Sequence, residues 1–110
     1  MITYDDFQKV EMRTGKIIEV EDFPKARNPA YRLTIDFGPE IGIKKSSAQI
    51  TKLYSKEELL GRIIVAVINF PPKQIADFIS EVLVMGVELD NKEVTLLKLD
   101  HDVPLGAKIS

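Results

Sequence analysis

One histidine, His101, stands between Asp100 and Asp102. An imidazole flanked by carboxylates is the composition of an oriented base or a metal ligand. A metal needs three or four donors, and the chain has no second histidine and no cysteine, so His101 reads as a solvated loop residue. Ser46 and Ser47 follow Lys44 and Lys45, and a serine beside a lysine can act as a nucleophile with its base. Neighbours along a strand point to opposite faces, however, so these four residues read as the end of a strand. Asp5-Asp6 and Glu57-Glu58 are the acidic pairs that a helix dipole favours in a first turn. No glycine-rich phosphate loop and no dinucleotide fingerprint is present. The chain is therefore not expected to be an enzyme or to carry a cofactor or a metal.

Two features could bind instead of react. Arg27, Arg32, Lys44, Lys45 and Lys73 form a basic set that would attract phosphates and release counterions; a solubilising face is the equal alternative. Phe70-Pro71-Pro72 with Ile75, Phe78 and Ile79 forms an apolar set. It would either pack on the core or a dimer partner, or present a groove for extended polypeptide.

The elements that must position these residues follow from periodicity and punctuation. Thr3, with Asp6 three residues on, predicts a short capped helix over Thr3–Phe7. A first strand over Met12–Phe23 has Ile18 and Val20 alternating with Glu19 and Glu21, and Gly15 suggests a bulge or bend in it. Pro24–Pro29 is a loop. Tyr31, Leu33, Ile35 and Phe37 alternate with Arg32, Thr34 and Asp36, which predicts a second strand with one buried face. Gly38-Pro39-Glu40 turns the chain into a third strand over Ile41–Ser46. Ile50, Leu53 and Tyr54 share a helical face. Ser55 with Glu58 restarts a second short helix that ends at Leu59-Leu60 and Gly61. Arg62–Phe70 is apolar on both faces and reads as a central fourth strand ended by Pro71-Pro72. Lys73–Ile79 reads as an ordered loop, Glu81–Leu89 as a fifth strand broken at Gly86, Asp90–Lys92 as a turn and Glu93–Leu99 as a sixth strand. Asp100–Ser110 is a tail with a turn at Pro104-Leu105-Gly106.

Three strands, a helix and two strands is the order of an OB-fold. The expected architecture is mainly all-β: a five-stranded barrel with a helix between strands three and four and an extra C-terminal strand and tail. It fills a single domain over residues 1–110. The extra part should cover a strand edge or build a dimer interface, because open edges invite pairing. In such barrels oligonucleotides bind across strands two and three and the loops after strands one and four, where several of the basic residues fall. At 45% hydrophobic and 29% charged residues the composition is that of an ordinary globular domain, and a net charge of −2 argues against a dedicated polyanion binder. Met1–Asp6 lacks the basic end and apolar run of a signal peptide. No apolar stretch approaches the roughly 18 residues of a membrane span. A cytoplasmic protein without membrane insertion is expected.

Val10-Glu11-Met12-Arg13-Thr14-Gly15-Lys16-Ile17 resembles the opening motif of the tRNA-binding-domain family. That domain occurs at the C-terminus of some methionyl-tRNA synthetases, in EMAP-II-type cofactors and as free-standing dimers. Asn69–Ala76, followed by Ser80-Glu81, resembles its second motif. The runs EIGIKKSSAQIT, from Glu40 to Thr51, and SEVLVMG, from Ser80 to Gly86, resemble the CsaA-type branch, described as export-related chaperones. The resemblance spans nearly the whole chain. It implies an OB barrel, a homodimer, recognition of tRNA by shape and the holding of unfolded preproteins or peptides. It carries over Asn69, Lys73 and Ser80, with Arg32 and Lys44 as nearby candidates.

The chain departs from the broader pattern at Asp77, where a glycine is usual, at Gln74, where a second basic residue is usual, and at Leu83, where a methionine is usual. These changes lower the positive charge and point to the chaperone branch. The expected site is Arg32, Lys44, Lys45, Asn69, Lys73, Phe78, Ile79 and Ser80. The expected function is non-enzymatic binding of unfolded preproteins, with tRNA as a further ligand. The alternative is a structure-specific tRNA-binding module acting in trans.

Overall fold

The computed structural model describes all residues, 1–110. Its organising element is β1 (Met12–Asp22), long enough to serve two partners. Its first half pairs antiparallel with β4 (Ile63–Val67), from Met12 opposite Val67 to Lys16 opposite Ile63. Its second half pairs with β2 (Tyr31–Asp36), from Lys16 opposite Asp36 to Asp22 opposite Tyr31. β2 pairs in turn with β3 (Ile43–Ala48), and β4 pairs with a short strand at Leu83–Val84. Between these come a four-residue helix, α2 (Lys56–Leu59), and a two-stranded hairpin, β5 (Lys73–Ile75) and β6 (Phe78–Ser80). The Leu83–Val84 strand is thus β7, and the sheet order is β3-β2-β1-β4-β7. The gap between β7 and β3 is closed by single bonds: Glu81 N–H donates to the Lys45 carbonyl at 2.7 Å, and Ser46 Oγ–H to the Val82 carbonyl at 2.9 Å. This is the nearly closed five-stranded antiparallel barrel that the element order implied.

The barrel fills with the inward residues of each strand: Ile17, Leu33, Ile35 and Phe37, with Ile64, Ala66, Val82 and Val84. Fully burying one such large side chain contributes roughly 1.5–3 kcal/mol. Leu59 caps this core from α2, fully buried, which is how a single-turn helix is held in place. Its capping box of Ser55 and Glu58, and that of Thr3 and Asp6 on α1 (Tyr4–Gln8), form as expected. Gly61, at φ +85°, stops α2. β4 is apolar on both faces because its outer residues Val65 and Val67 are also covered, by Met12, Phe7, Met85, Leu99 and Ile109.

The structure changes three local expectations. The bulge in β1 lies between Ile17 and Glu19, not at Gly15. It resets the alternation, so Ile17 is buried and Ile18 is exposed. Gly15 is required by space: a Cβ there would lie 2.7 Å from Ile35 Cγ2 and from the Phe37 ring. The segment from Ile50 forms only one turn, with Tyr54 N–H donating to the Ile50 carbonyl at 3.1 Å, because Ile50 is drawn into the barrel core. Lys73–Ile79 is not a loop but belongs to the β5–β6 hairpin, turning at Ala76-Asp77 with Ala76 at φ +55°.

The C-terminal part covers an edge, one of the two roles expected of it. β2 leaves β1 at Lys16, so the first half of β1 has a free side. The tail fills it: Thr14 N–H donates to the Ala107 carbonyl at 3.0 Å, and Ile109 N–H to the Met12 carbonyl at 2.9 Å. Glu11 ties the two together, 2.8 Å from Arg13 and 3.4 Å from Lys108. The bond from Arg13 and the charge of Lys108 hold the Glu11 carboxyl below its ordinary range. The remaining strands, β8 (Gly86–Glu88) and β9 (Val94–Leu96), form a separate ribbon joined to the barrel where Val94 N–H donates to the Gln49 carbonyl at 3.1 Å. No helix is long and apolar enough to cross a membrane.

Candidate functional site

The β1–β2 loop, the end of β3, the β5–β6 hairpin, β7 and the β8–β9 ribbon surround a groove of about 730 Å³. Each wall has a local cause. Phe23, just after β1, is buried and meets the Phe78 ring edge-on, with centroids 5.4 Å apart. Ala26, Ala30 and Ile75 complete this small cluster, which docks the hairpin against the loop. On the opposite side the ribbon places Val94 and Leu96 along the groove, and β7 adds Leu83, which is 53% exposed. Exposure of so large an apolar residue inside a concavity is what a binding wall requires. Ser47, Ala48 and Gln49 form the floor.

Basic residues stand at the rim. Arg27 and Lys73 line the groove, and neither has a carboxylate within ion-pair distance. Lys92 lies beside Glu88 at 3.6 Å and is offset by it. On the outer face of the neighbouring strands, Lys45 lies opposite Thr34, exposed and without an ion pair. Arg32 shares that face but is engaged. It is 3.6 Å from Glu21, and its guanidinium carbon is 5.6 Å from the centre of the Phe23 ring. Lys44 lies opposite the fully buried Ile35, on the reverse face of β3. The two adjacent lysines therefore cannot act on one ligand surface.

Of the residues singled out in the sequence, the structure brings Lys73 and Ser80 into the groove, and Arg27 with them. Ser80 Oγ accepts the Ser47 N–H at 3.3 Å, which fixes the hairpin to β3. Phe78 is buried in the docking cluster, so it positions the hairpin and is not open to a ligand. Ile79 pairs with Gln74 across the hairpin and is half-exposed; Gln74 lines the groove but Ile79 does not. Asn69 has both ends of its amide occupied. Its Oδ1 accepts the Glu11 N–H at 3.0 Å, and its Nδ2 donates to the Lys9 carbonyl at 2.7 Å, clamping the α1–β1 junction to the end of β4. Asn69→Ala is expected to lower stability by about 1 kcal/mol, the usual net worth of such bonds, while leaving ligand affinity unchanged in the folded protein. Urea denaturation and a binding titration of the same sample check this.

Sequence reasoning missed the apolar wall of Leu83, Val94 and Leu96, which two separate strands, β7 and β9, contribute. It also missed that Asp77 has a partner. Lys25 Nζ donates to Asp77 Oδ2 at 2.8 Å, joining the β1–β2 loop to the hairpin turn beside the groove. That bond, opposed by partial desolvation, holds the Asp77 carboxyl below the ordinary range. A second, smaller concavity of about 400 Å³ lies between α2, the start of β4 and the 98–103 segment, and includes His101. His101 is 90% exposed there with only Asp100 beside it, at 3.4 Å. No three His, Cys, Asp or Glu side chains cluster as a metal site would need.

Comparison with known proteins places this geometry among relatives. Residues 12–108 match the family described as "Putative tRNA binding domain". The crystal structure of the chaperone CsaA from Bacillus anthracis str. Ames superposes with a TM-score of 0.94 at 51% identity, covering 100% of this chain and 99% of that one. The CsaA chaperone protein from Picrophilus torridus gives a TM-score of 0.92 at 56% identity, covering 100% of both chains. The methionine–tRNA ligase of Pyrococcus abyssi is 39% identical over 108 residues, which are 98% of this chain but 14% of the ligase. The chain thus spans about one-seventh of the length of the curated relatives it matches.

Proposed function

This chain belongs to the tRNA-binding-domain family, and from that premise we propose that it is a non-enzymatic holder of extended polypeptide that also binds tRNA. The observation that carries this reading is the groove itself, which combines an apolar wall of exposed Leu83 and partly buried Val94 and Leu96 with unpaired cations at Arg27 and Lys73. An unfolded preprotein segment offers apolar side chains to the wall and backbone polar groups to the floor. Folded proteins hide both, so the groove selects unfolded chains. The two CsaA proteins, described as chaperones and matching over the whole length, support this half of the reading. For tRNA, the phosphate backbone would meet Arg27, Lys73 and the adjacent Lys45. Three such contacts give a slope of log affinity against log salt of about −2 to −3.

The protein acts in the cytoplasm as a homodimer on this reading. The β8–β9 ribbon leaves Val87, Leu89 and Leu97 exposed, an apolar set suited to a second copy. Two grooves on one dimer would hold a long chain with modest affinity at each site by avidity. The alternative, a tRNA-binding module acting in trans without a chaperone role, is favoured by the methionine–tRNA ligase relatives.

The deciding experiment titrates labelled bulk tRNA and a labelled, permanently unfolded protein into the purified chain, each with the other as competitor. Mutual competition is expected, with Leu83→Asp weakening the unfolded protein at least tenfold and tRNA much less. Unchanged polypeptide affinity in a folded Leu83→Asp variant would remove the apolar wall from the site. Absence of polypeptide binding in the native chain, with tRNA bound, would leave the alternative.

A further inference from the structure

Beside the groove, one ion pair joins the two elements that carry its lining residues Ala26 and Ile75, and its position is more informative than its strength. Lys25 belongs to the β1–β2 loop, and Asp77 sits at the turn of the β5–β6 hairpin, 52 residues away in sequence. The two elements are already docked beneath this pair by Phe23, Ala30 and Phe78, each at least nine-tenths buried. Both charged side chains are more than half exposed. An ion pair in that setting adds little to stability, so the apolar cluster holds the loop to the hairpin and the carboxylate is not needed for it. Its effect is on charge. Asp77 neutralises Lys25 and also acts on Arg32, which is engaged from the other side by Glu21.

Resting on the reading of the groove given above, we infer that Asp77 is an internal anion that sets the ligand preference of the site. Its carboxylate oxygen occupies the place on the Lys25 ammonium that a nucleic-acid phosphate oxygen would take. A lysine ammonium is a compact point charge that accepts either anion in the same way. A polyanion lying across the β1–β2 loop and the hairpin must therefore displace Asp77 to reach Lys25, and then lies beside a freed carboxylate. An extended polypeptide, neutral along its backbone, meets no such competition. The pair thus lowers affinity for RNA without touching the apolar wall, and favours polypeptide over polyanion in a groove that would otherwise accept both.

Asp77→Asn tests this, because it keeps the shape of the side chain and an acceptor oxygen for Lys25 while removing the charge. Bulk tRNA and a reduced, carboxymethylated unfolded protein are titrated into the native chain, Asp77→Asn, and Asp77→Asn with Lys25→Met, at several salt concentrations. The single variant is expected to bind tRNA about 5- to 10-fold more tightly at low salt. Its salt slope should steepen by about one, the signature of one added phosphate contact. Polypeptide affinity should stay within about twofold, and the double variant should return to the native slope. Unchanged or weaker tRNA binding in Asp77→Asn overturns the inference, as does a gain that survives Lys25→Met. Failure of the underlying reading shows separately, as absence of polypeptide binding in all three proteins.

Discussion

Replacing Arg27, Lys45 and Lys73 together by alanine should leave tRNA affinity nearly independent of salt. With three phosphate contacts and a slope of about −2.5, the native chain should lose about 30-fold in affinity between roughly 50 and 200 mM salt. The triple variant should lose little over the same range and bind about 30-fold or more weakly at the lower salt. The choice of residues comes from what each cation faces. These three have no carboxylate within ion-pair distance, whereas Lys25 is held by Asp77, Arg32 by Glu21 and Lys92 by Glu88. Lys44→Ala serves as the control, since it lies on the reverse face of β3 opposite Ile35. A slope that follows Lys44 instead of the trio would move the RNA surface to another face of the barrel. Polypeptide binding in the trio variant should persist, because the apolar wall is intact.

Gly15→Val is expected to cost about 3 kcal/mol, a large share of the stability of a domain this size. A side chain at position 15 would meet Ile35 Cγ2 at 2.7 Å and Phe37 Cε1 at 2.7 Å. Both neighbours are fully buried at the centre of the barrel and have no free space to move into. Gly42→Val separates this from a backbone effect. Gly42 has φ +88° with nothing within 4 Å of a Cβ, so its substitution brings only left-handed strain, about 1–2 kcal/mol. Urea denaturation should show a midpoint shift for Gly15→Val about twice that for Gly42→Val, with unchanged slopes. Equal shifts would mean that the barrel wall yields at β1.

The candidate site was less legible than the fold, and the difference has a common cause. Arg27, Lys73 and Ser80 were identified from residue type and motif and do line one groove. Asn69 and Phe78 were identified in the same way, yet Asn69 spends its amide on backbone 58 and 60 residues away and Phe78 is buried against Phe23. A motif marks a residue as constrained. It does not say whether the constraint is a ligand or the protein's own backbone.

What the sequence determined by itself is what neighbours within a few residues decide. The alternation of Tyr31 to Phe37 fixes β2 and its buried face, because side chains reverse at every residue of a strand. The boxes Thr3/Asp6 and Ser55/Glu58 fix two helix starts, because each closes over three residues. Gly61 fixes the stop of α2, and the order of these elements implied the five-stranded barrel. What only the tertiary structure decided depends on distant partners. The phase of β1 beyond its bulge is set by its pairing with β2, nine to fifteen positions on, and the need for glycine at position 15 and the pairing of Lys25 with Asp77 by residues twenty or more positions away. The charge available to a ligand is what remains after such pairing, and pairing is a property of space that no local pattern encodes.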